Sequence, residues 1–135
     1  MDGSDGQRYD RAIRAVIESW FDAMEQGDLA ALLALVTPDV IVKPPDSEPV
    51  TGRDALGLAL KEFLQSHSEQ VDYEVHEVEA GDRLAFARIS ETTTITPKSC
   101  STATLIRGIH LVVFRRQQGG SWRIARDFSS LIGHS

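Results

Sequence analysis

Two arginines near the carboxyl end of the chain are the strongest candidates for ligand binding. Arg107 and Arg126 lie in two runs rich in β-branched and aromatic residues, which flank Gly119 and Gly120. A Gly-Gly pair between such runs predicts an antiparallel hairpin. If the glycines form its loop, both arginines share the more apolar face with Phe128. A guanidinium on such a face needs a carboxylate or an anionic ligand as its partner. The alternative is an arginine at the rim that reaches water.

A two-residue loop determines which side chains share a face of the hairpin. It pairs Gln118 with Ser121, Val113 with Arg126, Leu111 with Phe128 and Ile109 with Ser130. We assign the more apolar face to the concave side beneath the helices; it carries Arg107, Ile109, Leu111, Val113, Ile124, Arg126, Phe128 and Ser130. The opposite, outer face carries His110, Val112, Phe114, Arg123, Ala125, Asp127 and Ser129. A five-residue loop would overturn this pairing.

Three other titratable residues have both a functional and a structural interpretation. His110 and Asp127 lie diagonally across the outer face, where an interface pair is favoured over a catalytic dyad. Glu91 could act as a general base in a pocket, but a solvated strand carboxylate is the preferred interpretation. The sequence shows no nucleophile with its base, no metal-ligand spacing and no phosphate-binding loop. We therefore assign no catalytic residue, no metal and no cofactor.

An amphipathic first helix supplies the other candidate binding residues. Apolar residues recur at steps of three and four, as on one helical face: Tyr9, Ile13, Val16, Ile17, Trp20, Phe21 and Met24. Trp20, Phe21 and Met24 come near the end of this helix, where they can line a pocket or simply pack in the core. The polar, glycine-rich residues 1–7 predict a disordered tail. Residues 8–132 are interpreted as one domain.

Two shorter helices follow. Gly27 fits a left-handed helix end, and Asp28 can cap a second helix over Leu29–Val36, which Thr37 and Pro38 stop. The PPDSEP segment predicts a loop after a short strand over Val40–Val42. Thr51 and Asp54 resemble a capping box for a third helix that ends near His67.

Only strands are predicted after the third helix. Alternating residues at Val71–Val78, an AGD turn and a run over Leu84–Ile95 lead to the hairpin. Three helices followed by long antiparallel strands predict an α+β fold, with the helices on one face of a strongly curved sheet.

Composition narrows the class of protein. The 135 residues are 41% hydrophobic and 25% charged, as in an ordinary globular domain. The net charge of -6 disfavours nucleic acid as a partner. No apolar run is long enough for a membrane span, no signal peptide is recognised, and Cys100 is the only cysteine. We expect a cytoplasmic protein with no membrane partner.

The chain resembles the nuclear transport factor 2-like superfamily, in its SnoaL-like branch of small bacterial proteins related to ketosteroid isomerase. The matching segments are WFDAMEQGDLAALLALVTPDV, the TG before the third helix, the AGD turn, RG at 107–108 and GSWRIARDFSS. The resemblance implies a cone-shaped fold that holds a small apolar or amphipathic molecule, often as a homodimer through the outer sheet face. It implies no single chemistry, because this superfamily hosts several enzyme classes and non-catalytic domains.

Departures from the family pattern argue against its known reactions. The position that resembles the base of the steroid isomerases is Pro44, and the position of their donor tyrosine is Trp20. Where many SnoaL-like relatives carry two histidines in the final strand, this chain has Arg126 and Phe128. Two function classes remain. The first is a protein that binds a small apolar or amphipathic molecule, including one with a carboxylate, and whose catalysis is undecided. The second is a non-catalytic association module.

Overall fold

Three helices precede a single six-stranded sheet in the computed structural model, which describes residues 3–134. The elements are α1 (Gly3–Gln26), α2 (Leu29–Ala34), β1 (Val36–Lys43), β2 (Val50–Thr51), α3 (Arg53–Ser66), β3 (His67–Ala80), β4 (Leu84–Pro97), β5 (Thr104–Arg116) and β6 (Trp122–His134). The predicted α+β class is confirmed. The α1 helix begins at Gly3, before the predicted start near Arg8. Disorder of residues 1–7 stays a prediction, and residues 1 and 2 lie outside the described part.

The sheet is open and mixed, with the strand order β2-β1-β6-β5-β4-β3. Neighbouring strands are antiparallel except β1 and β6, which are parallel. The prediction of an antiparallel sheet is therefore wrong for this one pair. The reason is topological: the chain enters β1 before α3 and the meander, and its last strand returns beside β1 in the same direction.

The α1 helix packs its apolar stripe against the sheet. Ile13, Ile17 and Phe21 are buried in one cluster with Phe114 and Trp122 from the hairpin. The Tyr9 ring also meets the Trp122 indole edge-on, with 5.5 Å between ring centroids. Burial of these large side chains in one cluster stabilises the contact between α1 and the hairpin.

The hairpin loop is longer than predicted, yet the predicted pairing survives in the middle of the strands. Arg116 pairs with Trp122, so the loop spans residues 117–121 rather than two glycines. The Gln117 amide donates to the Ser121 carbonyl at 2.7 Å. A β-bulge beyond Val113 shifts the register by one residue. The two deviations cancel, and the predicted pairs Val113–Arg126, Leu111–Phe128 and Ile109–Ser130 are confirmed.

The predicted assignment of the two hairpin faces is wrong except for Ile124, which is buried as predicted. Val112 and Phe114 are 5% and 0% exposed beneath the helices, whereas Ile109, Leu111 and Phe128 are 43%, 50% and 46% exposed. Both faces carry large apolar side chains, so counting hydrophobic residues selects the wrong one. The packing of α1 decides the matter, because it covers the face of Phe114.

The end of α1 and the cap of α2 agree with the sequence prediction, whereas the end of α2 and the start of α3 do not. Gly27 has a φ of 67° after α1, and the Asp28 carboxylate accepts from the Ala31 amide at 3.1 Å. The α2 helix ends at Ala34, and β1 begins before the predicted stop at Thr37 and Pro38. The N-cap of α3 is Gly52, without a side-chain bond, so the predicted capping box is absent there. None of the described helices is long and apolar enough to cross a membrane.

The cap of α2 can be tested with a matched pair of variants. Asp28→Ala should lower the free energy of unfolding by about 1 kcal/mol, because it leaves the Ala31 amide without its acceptor. Thr51→Ala should change it by less than about 0.5 kcal/mol, since Thr51 caps nothing. Urea denaturation followed by circular dichroism measures both. Equal losses in the two variants would contradict the cap assignment.

Candidate functional site

A buried histidine between two carboxylates lies on the inner face of the sheet. His110 of β5 faces inward because it lies two and four residues before the buried Val112 and Phe114, on the same side of the strand. Its Nδ1 lies 2.8 Å from Asp127 Oδ1 on β6, and its Nε2 lies 3.0 Å from Glu91 Oε1 on β4. All three side chains are less than one fifth exposed. Three neighbouring strands thus bring together an acid–histidine–acid row.

The two carboxylates keep His110 charged. Burial lowers the pKa of the imidazole, but the charge and hydrogen bond of Asp127, followed by the nearby Glu91 carboxylate, outweigh it and raise the pKa to about 10. His110 is therefore an imidazolium at neutral pH and is unsuited to act as a general base. Nδ1 donates to Asp127. Nε2 is close to Glu91, but the angle is too poor for a hydrogen bond, and this buried atom has no aligned acceptor.

The inner face encloses two spaces on either side of this row. The smaller, about 20 Å³, is large enough for one water molecule; it is lined by Ile17, Trp20, Phe21, Ile89, His110, Val112, Phe114, Ile124 and Asp127. The larger, about 250 Å³, is lined by Pro45, Glu69, Glu91, Thr93, Ile95, Ile106, Gly108, Ser129 and Leu131. We call the larger space the inner pocket. It combines an apolar wall with a few convergent polar groups, as ligand sites do.

The polar end of the inner pocket contains a hydroxyl that lacks a partner. Thr93 is 5% exposed, and its Oγ1 makes no hydrogen bond within residues 3–134. Gly108 pairs with Glu91 across the strands, and a β-carbon there would lie 3.9 Å from Glu91 Oε1. The missing side chain leaves the space in front of the carboxylate open. A bound molecule can therefore reach both Thr93 and Glu91.

The helix residues predicted to bind ligand lie on the inner side. Trp20 is half-buried and Phe21 is buried; both line the smaller space, and Phe21 stacks on Tyr73 with 4.4 Å between ring centroids. Met24 is half-buried and lines neither of the two spaces. A role for these three residues in binding stays a prediction.

The hairpin residues predicted to bind ligand lie on the outer side, which corrects their assignment to the concave face. Arg107 and Phe128 are exposed there. Arg126 donates to the Asp39 backbone oxygen at 3.0 Å, and its Nη2 lies 3.9 Å from the Asp39 carboxylate. The predicted need of Arg126 for a partner is thus met by Asp39 rather than by a molecule in the cone. No two guanidinium groups share the concave face in the way the sequence predicted.

The sequence-based prediction did not favour a functional role for His110, Asp127 and Glu91. It placed the first two on the outer face and favoured a solvated surface role for the third. The available signal was strand alternation, which places His110 and Asp127 on one hairpin face and lets an acidic residue of the preceding strand join them. Within the described residues, no group of three or more potential ligands is arranged to hold a metal ion.

Comparisons with known proteins agree with this fold. The sequence profile of the SnoaL-like domain matches residues 17–126. No curated protein matches the chain significantly. A ketosteroid isomerase-like protein from Erwinia carotovora atroseptica is 26% identical, with a TM-score of 0.83 over 91% of this chain and 95% of that one.

Two further solved structures extend the comparison. A conserved protein from Planctomyces limnophilus is 26% identical, with a TM-score of 0.85 over 93% of this chain and 99% of its own. A candidate dehydratase of the nuclear transport factor 2-like family, from Streptomyces avermitilis, is 18% identical with a TM-score of 0.84 over 94% and 98% of the two chains. At that identity the second structure shows the fold alone. The predicted superfamily is confirmed.

The charge of His110 predicts a specific dependence of stability on pH. Its pKa is about 10 in the folded protein against about 6.5 in an unfolded chain. The stabilisation is therefore complete below about pH 6.5 and is lost as the pH rises towards 10. We expect His110→Gln to lower the free energy of unfolding by on the order of 3 kcal/mol at pH 6, because Glu91 and Asp127 lose their counter-charge. This difference from the wild type should shrink at pH 9.5.

Urea denaturation at pH 6, 8 and 9.5 measures this difference. His76→Gln, which changes a histidine of β3 outside the acid–histidine–acid row, is the matched control and should follow the wild-type curve. Titration of the His110 Cε1 proton by nuclear magnetic resonance gives a direct readout. A midpoint near 6.5 for that proton would contradict the buried imidazolium.

Proposed function

The chain belongs to the SnoaL-like domain family, and on this basis we propose that it binds a small amphipathic molecule in the inner pocket. The observation that supports this proposal is the buried Thr93 hydroxyl, which lacks a hydrogen-bond partner at the polar end of an otherwise apolar space. A buried hydroxyl without a hydrogen bond costs about 1 to 3 kcal/mol. A ligand that bonds to Thr93 recovers part of that cost.

The charges around the pocket favour a neutral ligand over an anionic one. Glu69 and Glu91 line the pocket, and the arginines that would have attracted a carboxylate lie outside. His110 balances Glu91 and Asp127 but offers one positive charge for two carboxylates. A carboxylate in the pocket would therefore meet net repulsion. We propose a ligand with a hydroxyl or carbonyl group at one end and an aromatic or aliphatic body against Ile95, Ile106 and Leu131.

A set of three naphthalene compounds tests the proposed ligand chemistry. Isothermal titration calorimetry should rank 2-naphthol above naphthalene and naphthalene above 2-naphthoate. Thr93→Val keeps the side-chain shape and removes the hydroxyl, so 2-naphthol affinity should fall roughly five- to tenfold while naphthalene affinity stays constant. The melting temperature of Thr93→Val should equal or exceed that of the wild type, because a buried unpaired group is removed.

A second readout comes from the helix side of the cone. In a Trp122→Phe background, Trp20 is the remaining indole, and its emission should respond if the bound molecule reaches the smaller space. The proposal fails if 2-naphthoate binds best, or if Thr93→Val leaves the ranking of the three compounds unchanged.

The alternative function is homodimerisation through the outer sheet face. Ile109, Leu111 and Phe128 form an exposed apolar patch, and Leu111 pairs directly with Phe128. A groove of about 500 Å³ lies beside them, bordered by Lys43, His76 and Arg88. Large exposed apolar patches mark interaction surfaces. This patch differs from the one expected from sequence, since Val112 and Phe114 are buried inside.

The dimer prediction has a matched pair of variants. Leu111→Glu should convert a dimer into a monomer, as measured by light scattering at micromolar concentration, because it places a charge in the apolar patch. Leu58→Glu changes another exposed leucine, 72% exposed on α3, and should leave the dimer intact. A monomeric wild type, or a dimer insensitive to Leu111→Glu, would rule out this interface. Binding and dimerisation are compatible, since they use opposite faces of the sheet.

A further inference from the structure

Glu69 is the acidic residue of the inner pocket whose carboxylate has no hydrogen-bond or ion-pair partner among the described residues. It begins the inner face of β3, pairs with Ile95 across the strands, and lines the pocket with Glu91 and Thr93. Its carboxylate makes no hydrogen bond and no ion pair within residues 3–134. By contrast, Glu91 lies against His110, and the Glu25 carboxylate accepts from the Val71 amide at 2.8 Å.

The surroundings of Glu69 favour its protonated form. Burial raises the pKa of Glu69, the negative charges of Glu91 and Glu25 raise it further, and the imidazolium of His110 lowers it; the result is about 7. These groups face Glu69 from β4, α1 and β5. The pocket residues from the loop after β1 and from β6 are Pro45, Ser129 and Leu131, none of which titrates in this range.

We propose that Glu69 is the residue that exchanges a proton with a hydroxyl of the bound molecule. This inference rests on the proposed function and specifies its ligand as one that presents an acidic O–H, such as a phenol or an enol. Glu69 is available for this role because its carboxylate is inside the pocket and is committed to no other partner. His110 is not available, because both of its nitrogens face carboxylates.

The exchange is a single proton transfer. The ligand O–H bond breaks, its electron pair stays on the ligand oxygen, and the proton bonds to a carboxylate oxygen of Glu69. The reverse step returns the proton to the ligand. A group that is half protonated near neutral pH performs both directions well, because each form is present in similar amounts. The Thr93 hydroxyl can hold the ligand oxygen during the transfer.

Proton release on binding tests this exchange. At pH 7, 2-naphthol should displace up to about half a proton from Glu69, because an O–H donor stabilises the carboxylate form. Calorimetry in phosphate and in Tris, which differ in ionisation enthalpy, measures this number. Glu69→Gln should bind 2-naphthol without proton release. Glu79→Gln, at an exposed glutamate of the same strand, is the matched control and should release protons like the wild type.

A ligand-free measurement separates this inference from the proposed function. Carboxyl resonances of ¹³C-labelled glutamate should show one group with a midpoint near 7, absent in Glu69→Gln and unchanged in Glu79→Gln. Because the folded pKa exceeds the ordinary 4.5, the stability contributed at this site falls as the pH rises from about 4.5 to 7. Glu69→Gln should therefore have a higher melting temperature than the wild type at pH 8 and lose that advantage at pH 4.5.

Each outcome supports or overturns a separate statement. If 2-naphthol binds without proton release and no glutamate titrates with a midpoint near 7, the role of Glu69 is overturned and the proposed function stands. If a glutamate titrates with a midpoint near 7 but the protein binds none of the three naphthalene compounds, the proposed function is overturned. The ligand part of this inference then falls with it. Binding, proton release and a neutral midpoint, all abolished by Glu69→Gln, support both.

Discussion

The packing of α1 against the hairpin is the contact on which the rest of the structure depends. Ile13, Ile17 and Phe21 cover Phe114 and Trp122, and this coverage decides which face of the sheet is inside. Once that face is chosen, strand alternation places His110, Asp127 and Glu91 inside as well. The same choice exposes Leu111 and Phe128 on the outside. One hydrophobic contact thus determines which titratable side chains lie inside and which apolar side chains are exposed outside.

The interior chemistry follows from charge balance in a poorly solvated space. A lone carboxylate at this depth would be costly, and so would a lone imidazolium. The row of Asp127, His110 and Glu91 reduces both costs, but one cation cannot neutralise every acid nearby. Burial raises the pKa of Glu69, and the remaining negative charge of Glu91 and Glu25 raises it further. An anchored histidine and a loosely held acid are therefore two consequences of the same electrostatic arrangement.

This arrangement of acidic residues differs from the one that the resemblance to the steroid isomerases implies. The resemblance implies that Pro44 and Trp20 stand where the steroid isomerases have their base and their donor. The acidic residues of this chain enter the cone from β3, β4 and β6 instead. The fold supports such changes because inward positions on every strand can carry a functional side chain without altering the sheet. A shared fold is consequently weak evidence for a shared reaction.

Local features of this protein were determined by the sequence alone. The helical stripe from Tyr9 to Met24, the Gly27 and Asp28 junction, the strands and the residue pairs of the hairpin all depend on neighbours close in the chain or on strand alternation. The choice of face does not. Both hairpin faces are apolar, and only the docking of α1, which ends at Gln26 long before the hairpin begins at Thr104, distinguishes them. The sequence therefore contains the row of His110 with its two acids, but tertiary packing alone turned it inward, because burial depends on which surface a distant helix covers.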